Sequence, residues 1–131
     1  MKISRATGYA LIAAGYIAKH KEQKIVMSDV ISKEYKISPE YLHKILGDMV
    51  KVGILQSKRG PHGGFSLARP PKNISLLQII EAVDGPMTTN LYLEENAKGE
   101  KFYKQFMQTC EKAIAQAKNV LKKATLSDLL K

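Results

Sequence analysis

Residues 57–66 read SKRGPHGGFS. Three glycines, one proline and two adjacent cations share ten positions, between the runs Ile54-Leu55-Gln56 and Phe65-Ser66-Leu67. Two short β-forming runs around a Gly/Pro turn read as a hairpin. One reading of the turn is a plain mobile loop. Another is a phosphate-cradling nucleotide loop, but the stretch lacks the Gly-Lys-Ser/Thr ending and the following helix. The residues upstream decide between these readings.

Immediately before the hairpin, Ser38-Pro39-Glu40 supplies a cap, a proline for the first helical position and an acid near the positive end of the dipole. The helix it opens runs to about Val52 and stops at Gly53. Leu42, Ile45, Leu46, Met49 and Val50 fall on one face, leaving Glu40, His43, Lys44, Gly47 and Lys51 on the other. A shorter helix precedes it, with Ser28-Asp29 as the expected cap and an end near Tyr35. Ile37 lies in the turn between them. Two short helices, the second carrying cations outward, make a helix-turn-helix pattern. A hairpin directly after such a pair is the wing of a winged helix.

The wing accounts for the turn's composition. A wing tip approaches a DNA backbone or enters the minor groove, where bulk is unwelcome. Gly60, Gly63 and Gly64 meet that need, while Lys58 and Arg59 bring the charge that phosphates attract. Over residues 44–72 six basic residues (Lys44, Lys51, Lys58, Arg59, Arg69, Lys72) face one acid, Asp48. Across the 131-residue chain 21 basic residues stand against 12 acidic ones, a net charge of +9 that suits a polyanionic partner.

The rest of the chain fits one domain with an appended element. Ala6 to Ala18 is apolar but shorter than the ~20 residues of a membrane span. It reads as a buried helix with Tyr9, Ala10, Ala13, Tyr16 and Ile17 inward. No signal-peptide pattern precedes it. After Arg69-Pro70-Pro71, a capping box at Ser75–Gln78 opens a helix through Val83, ended by Gly85-Pro86. Residues 87–100 are polar and loop-like. One long helix is expected from Lys101 to Ala124. Tyr103, Phe106, Cys110, Ala113, Ala117, Val120 and Ala124 recur there at spacings of three and four, with Met107, Ile114 and Leu121 beside them. The seam lies either on the chain's own core or against a second subunit. The second is favoured, because so short a chain has little else to cover it.

Enzyme chemistry finds little support. His20, His43 and His62 are scattered, without HxxxH or Cys/His pairs at metal-ligand spacing. No Gly-x-Ser-x-Gly nucleophile motif is present. The single cysteine, Cys110, excludes an intrachain disulfide, fits a reducing cytoplasm, and reads as a small apolar member of the seam.

MKISRATGYAL, ISPEYLHKIL, VGILQSKRGPHGGFSLARPP, IIEAVDGP and ATLSDLL together resemble the Rrf-two family of bacterial winged-helix transcription regulators. The Ser-x-Arg-Gly-x-x-Gly-Gly-aromatic wing is the most specific of these pieces. The resemblance implies a mainly α (α+β) fold: a winged helix-turn-helix with a β-hairpin wing and a long C-terminal dimerisation helix. It places DNA contacts at Ser38, Pro39, Glu40, Tyr41, His43 and Lys44, and on the wing at Arg59, Gly60 and Pro61. His43 and Lys44 stand where other members often carry Glu and Gln, which changes the expected operator. Ser28, Lys51, Lys58, His62, Gly63 and Gly64 complete the expected DNA-binding set. Many relatives hold an iron–sulfur cluster on three cysteines before the long helix. Here residues 87–101 contain none, and two subunits would pool two thiolates where clusters take about four ligands. No cofactor and no metal are expected.

The sequence therefore reads as a cytoplasmic homodimeric regulator binding double-stranded DNA, repressive by expectation. Residues 1–86 would bind DNA, 87–100 link, and 101–131 form the dimerisation helix and tail. An effector, small molecule or protein, would act by changing the separation of the winged helices. Two alternatives are a non-specific nucleic-acid binder and a winged-helix protein-interaction adaptor.

Overall fold

The computed structural model describes residues 1–89 and 93–131. The loop expected over 87–100 includes residues 90–92, which lie outside the described residues. The chain runs α1 (Arg5–Lys19), α2 (Ser28–Tyr35), α3 (Pro39–Lys51), β1 (Leu55–Lys58), β2 (Gly64–Leu67), a 3-10 turn (Pro71–Asn73), α4 (Leu76–Asp84), α5 (Glu95–Lys98), α6 (Lys101–Lys123) and α7 (Leu126–Leu129).

Helix α1 begins at Ser4, whose hydroxyl accepts from the Thr7 N–H at 3.1 Å. Its inner face buries Ala10, Ala13, Ala14 and Ile17, and the three alanines let α3 and α4 pack closely. Tyr9 and Tyr16, expected inward, are half-buried and lie against the rim of the core. Asp84, the last residue of α4, accepts from the Ser4 N–H, the Ser4 hydroxyl and the Thr7 hydroxyl. That carboxylate fastens the start of α1 to the end of α4.

The expected Ser28 cap is corrected by the structure. Met27 occupies the N-cap and makes no side-chain cap bond, and Ser28 is the first helical residue. The reason lies one residue earlier. Val26 pairs with Phe65 of β2 through two backbone bonds of 2.8 Å, so the chain is still extended as it reaches Met27. The helix ends at Lys36, which takes the left-handed conformation (φ 55°). In the turn that follows, the buried Ser32 hydroxyl donates to the Ile37 carbonyl, and the Ile37 N–H returns to Ser32 at 3.0 Å. Helix α3 starts as anticipated, with Pro39 first and the Ser38 hydroxyl accepting from the Tyr41 N–H at 3.4 Å. It ends before Gly53 (φ 79°).

Strands β1 and β2 pair antiparallel with Leu55 opposite Leu67 and Lys58 opposite Gly64. Ile31, Leu42, Leu46, Ile54 and Ile79 are fully or almost fully buried between the helices and the hairpin. Each such side chain contributes roughly 1.5–3 kcal/mol relative to exposure.

The C-terminal part departs from the sequence reading in two places. A helical turn, α5, forms within the expected loop, where Lys98 lies 3.7 Å from Glu95. The tail after α6 folds back as α7, capped by a Thr125–Asp128 box. The Leu126 N–H donates to Ile74 at 2.8 Å and the Leu76 N–H to Ala124 at 3.0 Å, and Leu126 is fully buried in the main core. The end of α6 is thereby joined to the start of α4.

No residue of α6 is fully buried. Tyr103, Met107, Cys110, Ile114, Ala117, Leu121 and Ala124 are half-buried on the side that includes the α4 contact, while Phe106, Ala113 and Val120 are exposed, with Phe102 beside them. The single seam read from spacing is thus two neighbouring rows.

Candidate nucleic-acid interface

The outward side of α3 and the wing form one surface. Ser38, Pro39, Glu40, Tyr41, His43, Lys44 and Lys51 are exposed along α3, and Lys58, Arg59, Gly60, Pro61 and His62 along the wing. Between them runs an open groove of about 620 Å³. Ser28 from the start of α2, His43 and Lys51 from α3, and Lys58, Arg59, Gly60, Gly63 and Gly64 from the wing all line it. Pro39, Glu40, His43 and Lys44 border a second hollow, which shares His43 with the first. The structure therefore brings Ser28 and the wing together, while Ser38 and Tyr41 lie at the other end of the recognition helix.

Charge is available on this surface. Lys44 lies 3.7 Å from Asp48, one turn along α3, but its side chain is 77% exposed. Lys51, Lys58 and Arg59 have no ion-pair partner among the described residues. Cations left unpaired on one rim are what phosphate contact and counterion release require.

Geometry revises the reason for the glycines. Gly60 has φ 108°, a conformation costly for other residues. A methyl group on Gly63 would collide with the Lys58 carbonyl oxygen, and one on Gly64 would lie 2.5 Å from the Val26 carbonyl oxygen. Packing within the hairpin turn at Gly63, and against the Val26 backbone at Gly64, requires these last two to be glycine.

Three further residues position the surface, through contacts that the sequence did not announce. Val26 pairs with the wing from outside the hairpin. Phe65 meets the His43 ring edge-on, with centroids 5.9 Å apart, linking wing to recognition helix. The Arg69 Nε donates to the Gly53 carbonyl at 3.1 Å, tying the exit of β2 to the turn after α3. Arg69 had a sequence signal, its place in the basic window, whereas a one-residue bridge at Val26 has none.

A helix-turn-helix followed by a β-hairpin wing, with unpaired cations lining the groove between them, defines a winged-helix DNA-binding transcription regulator. The family model for Rrf2, described as iron-dependent transcriptional regulator, matches residues 3–131, and the chain belongs to that family. The relatives it matches are transcription regulators rather than enzymes. An Aquifex aeolicus protein assigned to the HTH-type transcriptional regulators is 40% identical over 81 residues, which are 62% of this chain and 56% of that protein. The HTH-type transcriptional regulator IscR of Cereibacter sphaeroides is 29% identical, covering 100% of this chain and 88% of its own. The structure of CymR, the global cysteine regulator of B. subtilis, superposes with a TM-score of 0.74 at 28% identity, covering 99% of this chain and 96% of the other.

The residues present do not fit the iron of the family description. The one cysteine, Cys110, lies half-buried within α6, and the described residues hold no group of three His, Cys, Asp or Glu side chains placed to bind a metal. Nor is any helix of the described residues long and apolar enough to cross a membrane.

Proposed function

We propose that the protein acts in the cytoplasm as a homodimeric, sequence-specific repressor that needs no iron. In this reading α3 enters the major groove, with Ser38, Tyr41, His43 and Lys44 toward the DNA. The wing lies along the adjacent minor groove with Arg59 at its tip. Lys51, Lys58 and the start of α2 at Ser28 flank the phosphates. The observation that carries the reading is the groove between α3 and the wing, where Lys51, Lys58 and Arg59 stand unpaired. Residues 1–86 read DNA in this division and α6 pairs the subunits. Support for pairing is the outer row of α6: Phe102 is 72%, Phe106 55% and Val120 67% exposed, an apolar edge that water would leave costly. A small-molecule or protein effector would then act by changing the separation of the two winged helices.

Selection of binding sequences from random duplex DNA tests the reading. Salt titrations with the selected site and a scrambled one should show affinities differing by roughly three decades or more. Equal affinities would mean a non-specific binder, and no salt-dependent binding at all would mean a protein-interaction role. Protein prepared without oxygen should hold no stoichiometric iron and show no visible absorption from a cluster. A defined cluster with retained iron and sulfide would overturn the iron-independent reading.

A further inference from the structure

Helix α1 carries two tyrosines two turns apart, and each meets a tyrosine of the helix-turn-helix edge-on. Tyr16 meets Tyr35 of α2 at a centroid distance of 6.2 Å and an interplanar angle of 85°. Tyr9 meets Tyr41 of α3 at 5.8 Å and 86°. The second pair differs in where its outer ring lies. Tyr41 is the third residue of α3, 39% exposed, beside the capping Ser38 and on the surface that carries Lys44. Tyr9 is half-buried and rests on the core. The backbone N–H of Tyr41 is used in capping, and no hydrogen bond among the described residues engages its hydroxyl.

An exposed helical tyrosine ordinarily samples more than one staggered rotamer. An edge-to-face partner biases that choice about two- to tenfold. Tyr9 is the aromatic partner the structure gives Tyr41, and it sits on the element behind the recognition helix rather than on it. Tyrosine hydroxyls on DNA-binding surfaces commonly serve phosphate oxygens, fixing orientation on the duplex.

We propose that Tyr9 is a positioning residue for DNA binding: its ring holds Tyr41 in one rotamer, so that the Tyr41 hydroxyl meets a backbone phosphate at the N-terminal end of α3. The proposal rests on the reading of α3 as the recognition helix. It assigns to α1 a part in DNA recognition in addition to its place in the core.

A mutant cycle on full-length protein tests it, using the duplex that the wild type selects from random DNA. Tyr41→Phe removes only the hydroxyl and should weaken binding about tenfold. Tyr9→Leu should weaken it about two- to tenfold in the wild-type background and less than about twofold in the Tyr41→Phe background. Tyr9→Phe keeps the ring and should bind as the wild type does. Where Tyr9→Leu does not fold, Tyr9→Met takes its place. Equal losses from the Tyr9 change in both backgrounds would show a merely structural role and overturn the proposal. Full affinity in Tyr9→Leu, or in Tyr41→Phe, would overturn it as well. Lys44→Ala and Arg59→Ala run beside these variants separate the two failures. Losses there with an inert Tyr41 sink only the present proposal, whereas no loss at either sinks the recognition-surface reading beneath it.

Discussion

Gly64 opens β2 at the point where the chain entering α2 presses against the wing. A methyl group there would lie 2.5 Å from the Val26 carbonyl oxygen, 2.8 Å from its carbonyl carbon and 2.7 Å from Ile25 Cγ2. The Ile25 tip can swing aside, but the Val26 backbone cannot, because two 2.8 Å bonds hold it to Phe65. Regaining an ordinary contact of 3.4 Å from 2.5 Å moves the strands about 0.9 Å apart. A 2.8 Å hydrogen bond stretched by that amount is lost. Two backbone bonds at about 0.5–1.5 kcal/mol each, with some residual strain, give Gly64→Ala a cost of roughly 2–4 kcal/mol. Unfolding entropy of about 2.1 cal/mol/K per residue makes each kcal/mol worth roughly 3.6 °C in a chain of this length, so the midpoint should fall by roughly 7–15 °C. Thermal denaturation followed by circular dichroism, at one protein concentration, reads this directly. DNA affinity should fall too, since Ser28 follows Val26 by two residues and would shift against the wing. A midpoint within about 2 °C of the wild type would refute the argument that the Val26 bridge fixes the wing in place.

Gly47 is the opposite case: it lies inside α3 with open space around a built methyl group, so Gly47→Ala should raise stability by about 0.5–1 kcal/mol, checked in the same melts. Burial pushes the Asp84 carboxyl up, but hydrogen bonds from Ser4 and Thr7 outweigh it and hold the group below its ordinary value of 3.8. A depressed folded value means stability present above the unfolded pKa and lost as pH falls through the folded one. Asp84→Ala should therefore cost about 1 kcal/mol near neutral pH, allowing for solvent screening, and the gap from wild type should close below about pH 4. Ala113→Glu places a charge in the outer row of α6. Sedimentation should show loss of the dimer and titration should show loss of tight operator binding, whereas a dimeric variant of normal affinity would place the subunit contact elsewhere.

Much of this architecture was legible because its signals are local. Ser38-Pro39 and the Ser75–Gln78 box mark helix starts by chemistry confined to four residues, and the Gly/Pro turn marks the hairpin. What escaped depends on partners distant in sequence. Val26 is a one-residue bridge with no alternation to announce it, and it also moved the α2 cap from Ser28 to Met27. The return of Leu126 to the core required knowing that Ile74 would lie beside it. The rows on α6 were merged because spacings of three and four fit adjacent stripes about equally well. In the fold Ile114 is half-buried and Ala113 exposed, although both line the hollow beside the end of α4. For the candidate site, the exposed residues of α3 and the wing followed from amphipathic pattern and charge. Tyr9 did not, since an aromatic ring at a core-facing helical position looks the same whether it fills space or orients another ring.

Footprinting of the selected operator bears most directly on the account of two winged helices docked side by side. Dimethyl sulfate reports guanine N7 in the major groove, and hydroxyl radicals report the backbone and minor groove. The account predicts two major-groove patches about 10–10.5 base pairs apart, or a multiple of that, each flanked by minor-groove protection that disappears in Arg59→Ala. One patch alone, or weak uniform protection unchanged by Arg59→Ala, would contradict it.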